Sequence, residues 1–268
     1  MSLFINIRMK ILIYSQQRTR SSFLLDVLCQ NYNLKNYFEP YSDLLNPSYH
    51  KCFDRSPNNV FKRYIENGKE LTEKLKNSDN FGVKLFAVCS YNYYKFAGTT
   101  ARNPKDLDIK LEKNDLVNII ENYNLDMYDK IFVLSRDETQ RLASNLHAEY
   151  HDNFLFHKNM KGWLELCDTE NKSLPKFEDW KIKAKLLETV VFKYHAELLK
   201  RRYKNLVILD YEQVPDYVKT HYPNIESIHQ ETNFNYKELK KYDQLKELVE
   251  QHSKQLQVDK LLESLLSN

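Results

Sequence analysis

The chain has 268 residues, 42% of them hydrophobic and 29% charged, with 40 basic residues against 37 acidic ones. That is enough apolar material for a buried core, and the even charge balance makes no global case for a nucleic-acid partner. Glycine numbers only 4, at 68, 82, 98 and 162, against a usual share of about 7%, and at those positions neither G-x-G-x-x-G nor G-x-x-x-x-G-K-[ST] occurs, so an ordinary dinucleotide dehydrogenase or Walker-type kinase is disfavoured.

The first strong element is Ile11-Leu12-Ile13-Tyr14, a short apolar run suited to a strand buried on both faces. Arg8 and Lys10 interrupt the segment before it and no small-residue cleavage site follows, so no signal peptide is expected. A polar stretch, Ser15 to Ser22, leads into a helical pattern with Leu24, Leu25, Leu28 and Cys29 on one face. Strand, polar turn and helix open a βαβ unit. Further strands are predicted over 81–88, 130–135 and 206–211, and helices over about 59–77, 112–124, 138–150 and 179–203. Asp179 is placed to cap the last of these, and Ile182, Leu186, Val190, Val191, Tyr194 and Leu198 mark its buried face.

This alternation predicts an α/β fold with a mostly parallel central sheet flanked by helices. Residues 40–58 and 152–178 lack periodicity and read as functional loops. The tail, about 236–268, reads as two amphipathic helices packed on the domain, in preference to a lid or a self-association surface for a homo-oligomer. No repeat or linker divides the chain, so a single domain is expected. No apolar run approaches the roughly 18 residues of a spanning helix, so no membrane role is expected. The four cysteines, at 29, 52, 89 and 167, form no C-x-x-C pair; they fit neither a zinc site nor a disulfide framework and suit the cytoplasm.

In a parallel sheet, ligands bind beyond the carboxyl ends of the strands. Arg18, Thr19, Arg20, Ser21 and Ser22 stand at such an end, before a helix N-terminus whose free N–H groups and dipole favour an anion. The bland alternative is a solvated turn with a serine helix cap. A second anion site is predicted after residues 130–135, where Arg136-Asp137 opens a helix and Ser144 follows two turns later. Its alternative is a surface ion pair beside a helix serine. His147 and His151 have i, i+4 spacing but no third ligand, so no metal site is expected.

Taken together, these motifs resemble the sulfotransferases that use 3′-phosphoadenosine 5′-phosphosulfate (PAPS). Ser15 to Leu25 looks like that family's 5′-phosphosulfate loop. Val133 to Asp137 with Ser144 resembles its 3′-phosphate motif. Phe81-Gly82-Val83-Lys84-Leu85 resembles a family strand, and Asn36-Tyr37-Phe38-Glu39-Pro40 the segment that holds a catalytic glutamate in carbohydrate sulfotransferases. Leu206 to Glu212 is similar to the late strand ending in Tyr-Glu. The order holds from about residue 10 to 214.

The resemblance implies a P-loop-like sulfotransferase fold and in-line transfer of a sulfuryl group from PAPS to a hydroxyl or amine acceptor, without metal. The acceptor would be a small molecule or carbohydrate. Ser21 and Ser22, with Thr19 and Arg20, would hold the 5′-phosphate, and Arg136 and Ser144 the 3′-phosphate. Arg18 would stabilise leaving-group charge, Glu39 would act as base, and Lys84 would steady the acceptor or the sulfonate. The chain departs from the family at Arg20, where glycine is usual. Either Arg20 adopts a left-handed backbone, or the turn takes another path that presents its guanidinium to phosphate; the second is expected. The strand at Lys84-Leu85-Phe86 lacks the histidine base of the aryl and steroid enzymes. The glycine-containing loop near the C-terminus is also missing, with Glu231 to Tyr236 as a weak substitute. A non-catalytic nucleotide- or polyanion-binding module and an atypical P-loop kinase are the rival readings.

Overall fold

The computed structural model describes residues 9–40, 68–86, 111, 113–150, 179–225, 236–239 and 241–267. Residues 41–58 of the predicted loop 40–58, the predicted loop 152–178, the segment 231–235 and His151 lie outside the described residues, as does the side chain of His147.

Strand β1 (Lys10–Ser15) lies at the centre of a five-stranded sheet. Its residues Ile11, Leu12, Ile13 and Tyr14 are all 0% exposed, as a strand covered on both faces requires. Helix α1 (Ser21–Tyr32) leads to the two-residue strand β2 (Lys35–Asn36). A helical segment, α2 (68–76), precedes β3 (Phe81–Phe86), and α3 (Lys113–Glu121) precedes β4 (Lys130–Ser135). Helix α4 (Glu138–Tyr150) follows β4, and α5 (Asp179–Arg202) leads to β5 (Leu206–Asp210) and α6 (Gln213–His221). The chain closes with α7 (Tyr242–Leu256) and α8 (Val258–Leu266).

The strand order is β2-β3-β1-β4-β5, and every pairing is parallel. The predicted α/β class, with a central parallel sheet flanked by helices, is the one observed. Period-two alternation sorts the strands between two cores. Leu12, Tyr14, Val83, Leu85, Ile131 and Val133 face one side, where α3, α4, α5, α7 and α8 supply the partners. Ile11, Ile13, Phe132 and Leu134 face the other, against Leu24, Leu25 and Leu28 of α1 and Val214 and Val218 of α6.

Two local features bring the α1 side close to the sheet. Gly82 in β3 is one: a Cβ there would sit 2.7 Å from Cys29 Sγ and 2.8 Å from Leu25 Cδ1. The other is the end of α1, where Asn33 adopts φ 51° and the Leu34 N–H donates to the Cys29 carbonyl at 2.8 Å. The chain thus turns directly into β2 on the edge of the sheet. The tail pair packs on the domain, with Leu245 and Val249 of α7 and Val258 and Leu265 of α8 buried against the core that includes α5.

Candidate functional site

The turn after β1 is built by two left-handed residues, Arg18 at φ 64° and Arg20 at φ 61°. Thr19 between them is fully buried, and its hydroxyl donates to the Gln16 carbonyl at 2.8 Å. Thr19 therefore closes the turn from inside; its one hydroxyl proton, expected to serve a phosphate, is already engaged. Gln16 ties the turn to α5 by donating from Nε2 to Thr189 Oγ1 at 3.1 Å. Thr189 also accepts from Arg141 Nη2 at 3.0 Å and donates to the Lys185 carbonyl at 3.1 Å. Arg141 is 1% exposed and anchors α4 to α5 in this network, where burial pushes the Glu138 carboxyl above its usual range.

Helix α1 starts with no side-chain cap and no acidic residue in its first turn. Its leading N–H groups, the hydroxyls of Ser21 and Ser22 and the positive end of the dipole thus meet at the carboxyl edge of the sheet. Such an edge favours an anion.

Lys84 reaches the same place from β3. Alternation turns it to the α1 side, and it is 3% exposed. Its Nζ donates to Ser22 Oγ at 2.5 Å, pairs with Glu39 Oε1 at 2.7 Å and lies 3.8 Å from the Phe38 ring centroid. Backbone pairing places Glu39 there. The Tyr37 N–H donates to the Gly82 carbonyl at 3.0 Å, and the Lys84 N–H donates to the Phe38 carbonyl at 2.8 Å. Phe38 itself adopts φ 56°, an outlier for a bulky residue, and the residue is 39% exposed. The two-residue β2 and this single strained residue bring the carboxylate of the edge segment onto the lysine of β3.

Arg136, 8% exposed at the end of β4, donates from Nη1 to the Arg18 carbonyl at 3.0 Å. Its guanidinium carbon lies 3.8 Å from the Tyr211 ring centroid, and that of Arg20 lies 3.9 Å from the same centroid. Arg20 Nη1 donates to the Tyr211 carbonyl at 3.0 Å. Tyr211 is fixed in turn by donating its N–H to the Ser135 carbonyl at 2.8 Å, just beyond β5. The Ser135 hydroxyl donates to Asp210 Oδ1 in the same strand pair.

The expectation for Arg20 is corrected here. The turn takes the left-handed path that glycine usually follows, and the guanidinium packs on the Tyr211 ring with Nη1 donating to the Tyr211 carbonyl. These contacts form two sets, Arg18, Arg20 and Arg136 around Tyr211, and Ser22 and Glu39 around Lys84, and the start of α1 at Ser21 and Ser22 joins them along the chain. Ser144 is 4% exposed, in the second turn of α4. Tyr211 was legible as part of the late-strand motif but carried no role in the sequence reading. The signal was an aromatic residue just past the strand that neighbours β4.

Among the described residues no group of three or more His, Cys, Asp or Glu side chains could hold a metal ion, and no helix is long and apolar enough to cross a membrane. No family model matches the sequence, and it has no significant match among curated proteins.

Proposed function

We propose that the chain is a sulfotransferase that transfers a sulfuryl group from PAPS to a hydroxyl or amine, with a carbohydrate as the favoured acceptor. The observation that carries this reading is the contact of Arg136 Nη1 with the Arg18 carbonyl, 3.0 Å. It joins the basic residue at the end of β4 to the anion-favouring turn after β1. That contact supports one edge with donors for two phosphate groups on one nucleoside. The residues fit such a donor: an uncapped helix N-terminus and serine hydroxyls for the 5′ end, and a second arginine for the 3′ end.

PAPS supplies the sulfuryl group and leaves as 3′,5′-adenosine bisphosphate. The protein's part is positioning and electrostatics. The N–H groups opening α1, with Ser21, Ser22 and Arg18, hold negative charge at the turn. Arg136 and Ser144 select the 3′-phosphate. Glu39 takes the proton of the acceptor, and Lys84, already held against Ser22 and Glu39, stands between the donor turn and the acceptor side. The P-loop-like sulfotransferase fold and a cytoplasmic location belong to the same proposal.

A second reading, a nucleotide-binding module without turnover, is favoured by the closed Lys84–Glu39 pair at 2.7 Å. Radiolabelled PAPS incubated with the full chain and a panel of saccharides, phenols and amines separates the two. The transferase reading expects label on an acceptor, lost in Glu39→Gln. Binding of 3′,5′-adenosine bisphosphate with no label transferred to any class supports the second reading.

A further inference from the structure

We infer that Tyr211 is a positioning residue that makes the two anion-binding arginines act as one unit. The inference rests on the sulfotransferase reading of the site and adds a residue to which that reading gives no task. Arg20 and Arg136 come from different strand ends, 116 positions apart in the chain, and each places its guanidinium carbon within 4 Å of one ring centroid, at 3.9 and 3.8 Å. An aromatic face attracts a cation through its quadrupole, most strongly where water is excluded. Two like charges brought this close repel, and the shared ring lowers that cost.

Backbone bonds fix the ring and its two partners to one another. The Tyr211 carbonyl accepts from Arg20 Nη1 at 3.0 Å, the Tyr211 N–H donates to the Ser135 carbonyl at 2.8 Å, and the residue after Ser135 is Arg136. Arg136 then returns to the turn through the Arg18 carbonyl at 3.0 Å. The loop of contacts is closed: Arg18 carbonyl, Arg136, Tyr211 and Arg20, with only Thr19 separating its two ends in sequence. Moving either guanidinium therefore moves the other, and a phosphate that engages one orders the other for the second phosphate. Occupancy of the 3′ site and of the 5′ site are coupled through this ring.

The test is a double-mutant cycle on the full chain, with 3′,5′-adenosine bisphosphate and 5′-AMP as probes. Arg20→Gln and Arg136→Gln are measured singly and together, first with Tyr211 present and then in Tyr211→Leu. With Tyr211 present, the combined loss in bisphosphate affinity should depart from the product of the single losses by about fivefold or more. In Tyr211→Leu the two effects should multiply to within about twofold, and bisphosphate affinity should fall by about tenfold while AMP falls less. Tyr211→Phe, which keeps the ring, should behave as the natural chain. If Tyr211→Leu does not fold, pentafluorophenylalanine at position 211 keeps the shape and inverts the charge of the face, and it should abolish the coupling in the same way.

Coupling that survives loss or fluorination of the ring overturns the inference, even if the melting temperature drops, because a ring that only fills space would do that. Equal affinity of the natural chain for bisphosphate and AMP overturns the underlying reading, and the inference with it. Bisphosphate selectivity with unchanged coupling overturns the inference alone.

Discussion

Arg136 and Arg18 are 118 positions apart, yet the guanidinium of the first donates to the carbonyl of the second at 3.0 Å. The bond holds the left-handed turn after β1 against the end of β4. Arg136→Ala therefore removes a brace of the turn after β1 and, on the proposed reading, a ligand of the 3′-phosphate. Charge-assisted bonds of this kind contribute roughly 1.5–3 kcal/mol. Affinity for 3′,5′-adenosine bisphosphate should fall by about tenfold or more, and 5′-AMP should weaken by a smaller factor. Titration calorimetry with the two nucleotides reads both; equal losses would remove the 3′-phosphate assignment.

Glu39→Gln should leave nucleotide affinity within about twofold and lower turnover by about 10²–10⁴-fold, the usual range for a lost general base. It also takes the counter-charge from Lys84, which is 3% exposed. Leaving a buried charge short of its partner costs stability, on the order of 1–3 kcal/mol here because Glu39 keeps some solvent contact. Lys84→Met should recover much of that loss in the double variant. Urea unfolding of the four proteins checks it; simple additivity would mean that the pair is not energetically coupled.

Arg20→Gly trades two effects. A left-handed non-glycine residue costs roughly 1–2 kcal/mol, which glycine relieves, though glycine loses more entropy on folding. Against that stand the 3.0 Å bond to the Tyr211 carbonyl and the ring contact at 3.9 Å. The net expectation is a loss of about 1 kcal/mol in stability and weaker bisphosphate binding. Tighter binding together with higher stability in Arg20→Gly would show that the strain outweighs the contacts.

The region around Arg20 also shows what the sequence could and could not reveal. The apolar run of β1, the polar turn and the Leu24–Leu28 face of α1 were legible because a doubly covered strand and an amphipathic helix have different periods. The parallel sheet followed from that alternation. Helix α6 was not marked: it has nine residues, Pro215 lies in its first turn, and only Val214 and Val218 signal its buried face. The candidate residues Arg18 and Arg136 were legible from their places beyond strand ends, and Lys84, inside its strand, only through the family resemblance. Their mutual contacts were not, because a guanidinium on a distant carbonyl or ring leaves no periodic trace. The left-handed Phe38 escaped for a similar reason, since its conformation is imposed by the pairing of Tyr37 and Phe38 with β3 and not by its own preference.

His195 makes stability depend on pH in a defined window. It is fully buried, its Nε2 donates to the Leu116 carbonyl at 2.8 Å, and its Nδ1 accepts from the Tyr14 hydroxyl. Burial lowers its pKa from 6.5 to about 4. Above pH 6.5 the ring is neutral in both states. As pH falls from 6.5 toward 4 the unfolded chain takes up a proton that the folded chain refuses, so stability is lost, on the order of 3 kcal/mol across the window. In His195→Gln the decline between pH 7.5 and pH 4.5 should be shallower than in the natural chain. Parallel slopes in urea unfolding would assign the acid sensitivity to other groups.

The most direct test of the account is nucleotide selectivity of the full chain, by thermal stabilisation and calorimetry, with 3′,5′-adenosine bisphosphate, 5′-AMP and ATP–Mg side by side. A ligand at 100 times its Kd adds about 2.7 kcal/mol of stability, well within reach of a melting curve. The account predicts that the bisphosphate binds at least about tenfold more tightly than AMP, without magnesium, and that Arg136→Ala erases the difference. Equal affinity for bisphosphate and AMP, or stabilisation by ATP–Mg alone, would contradict it.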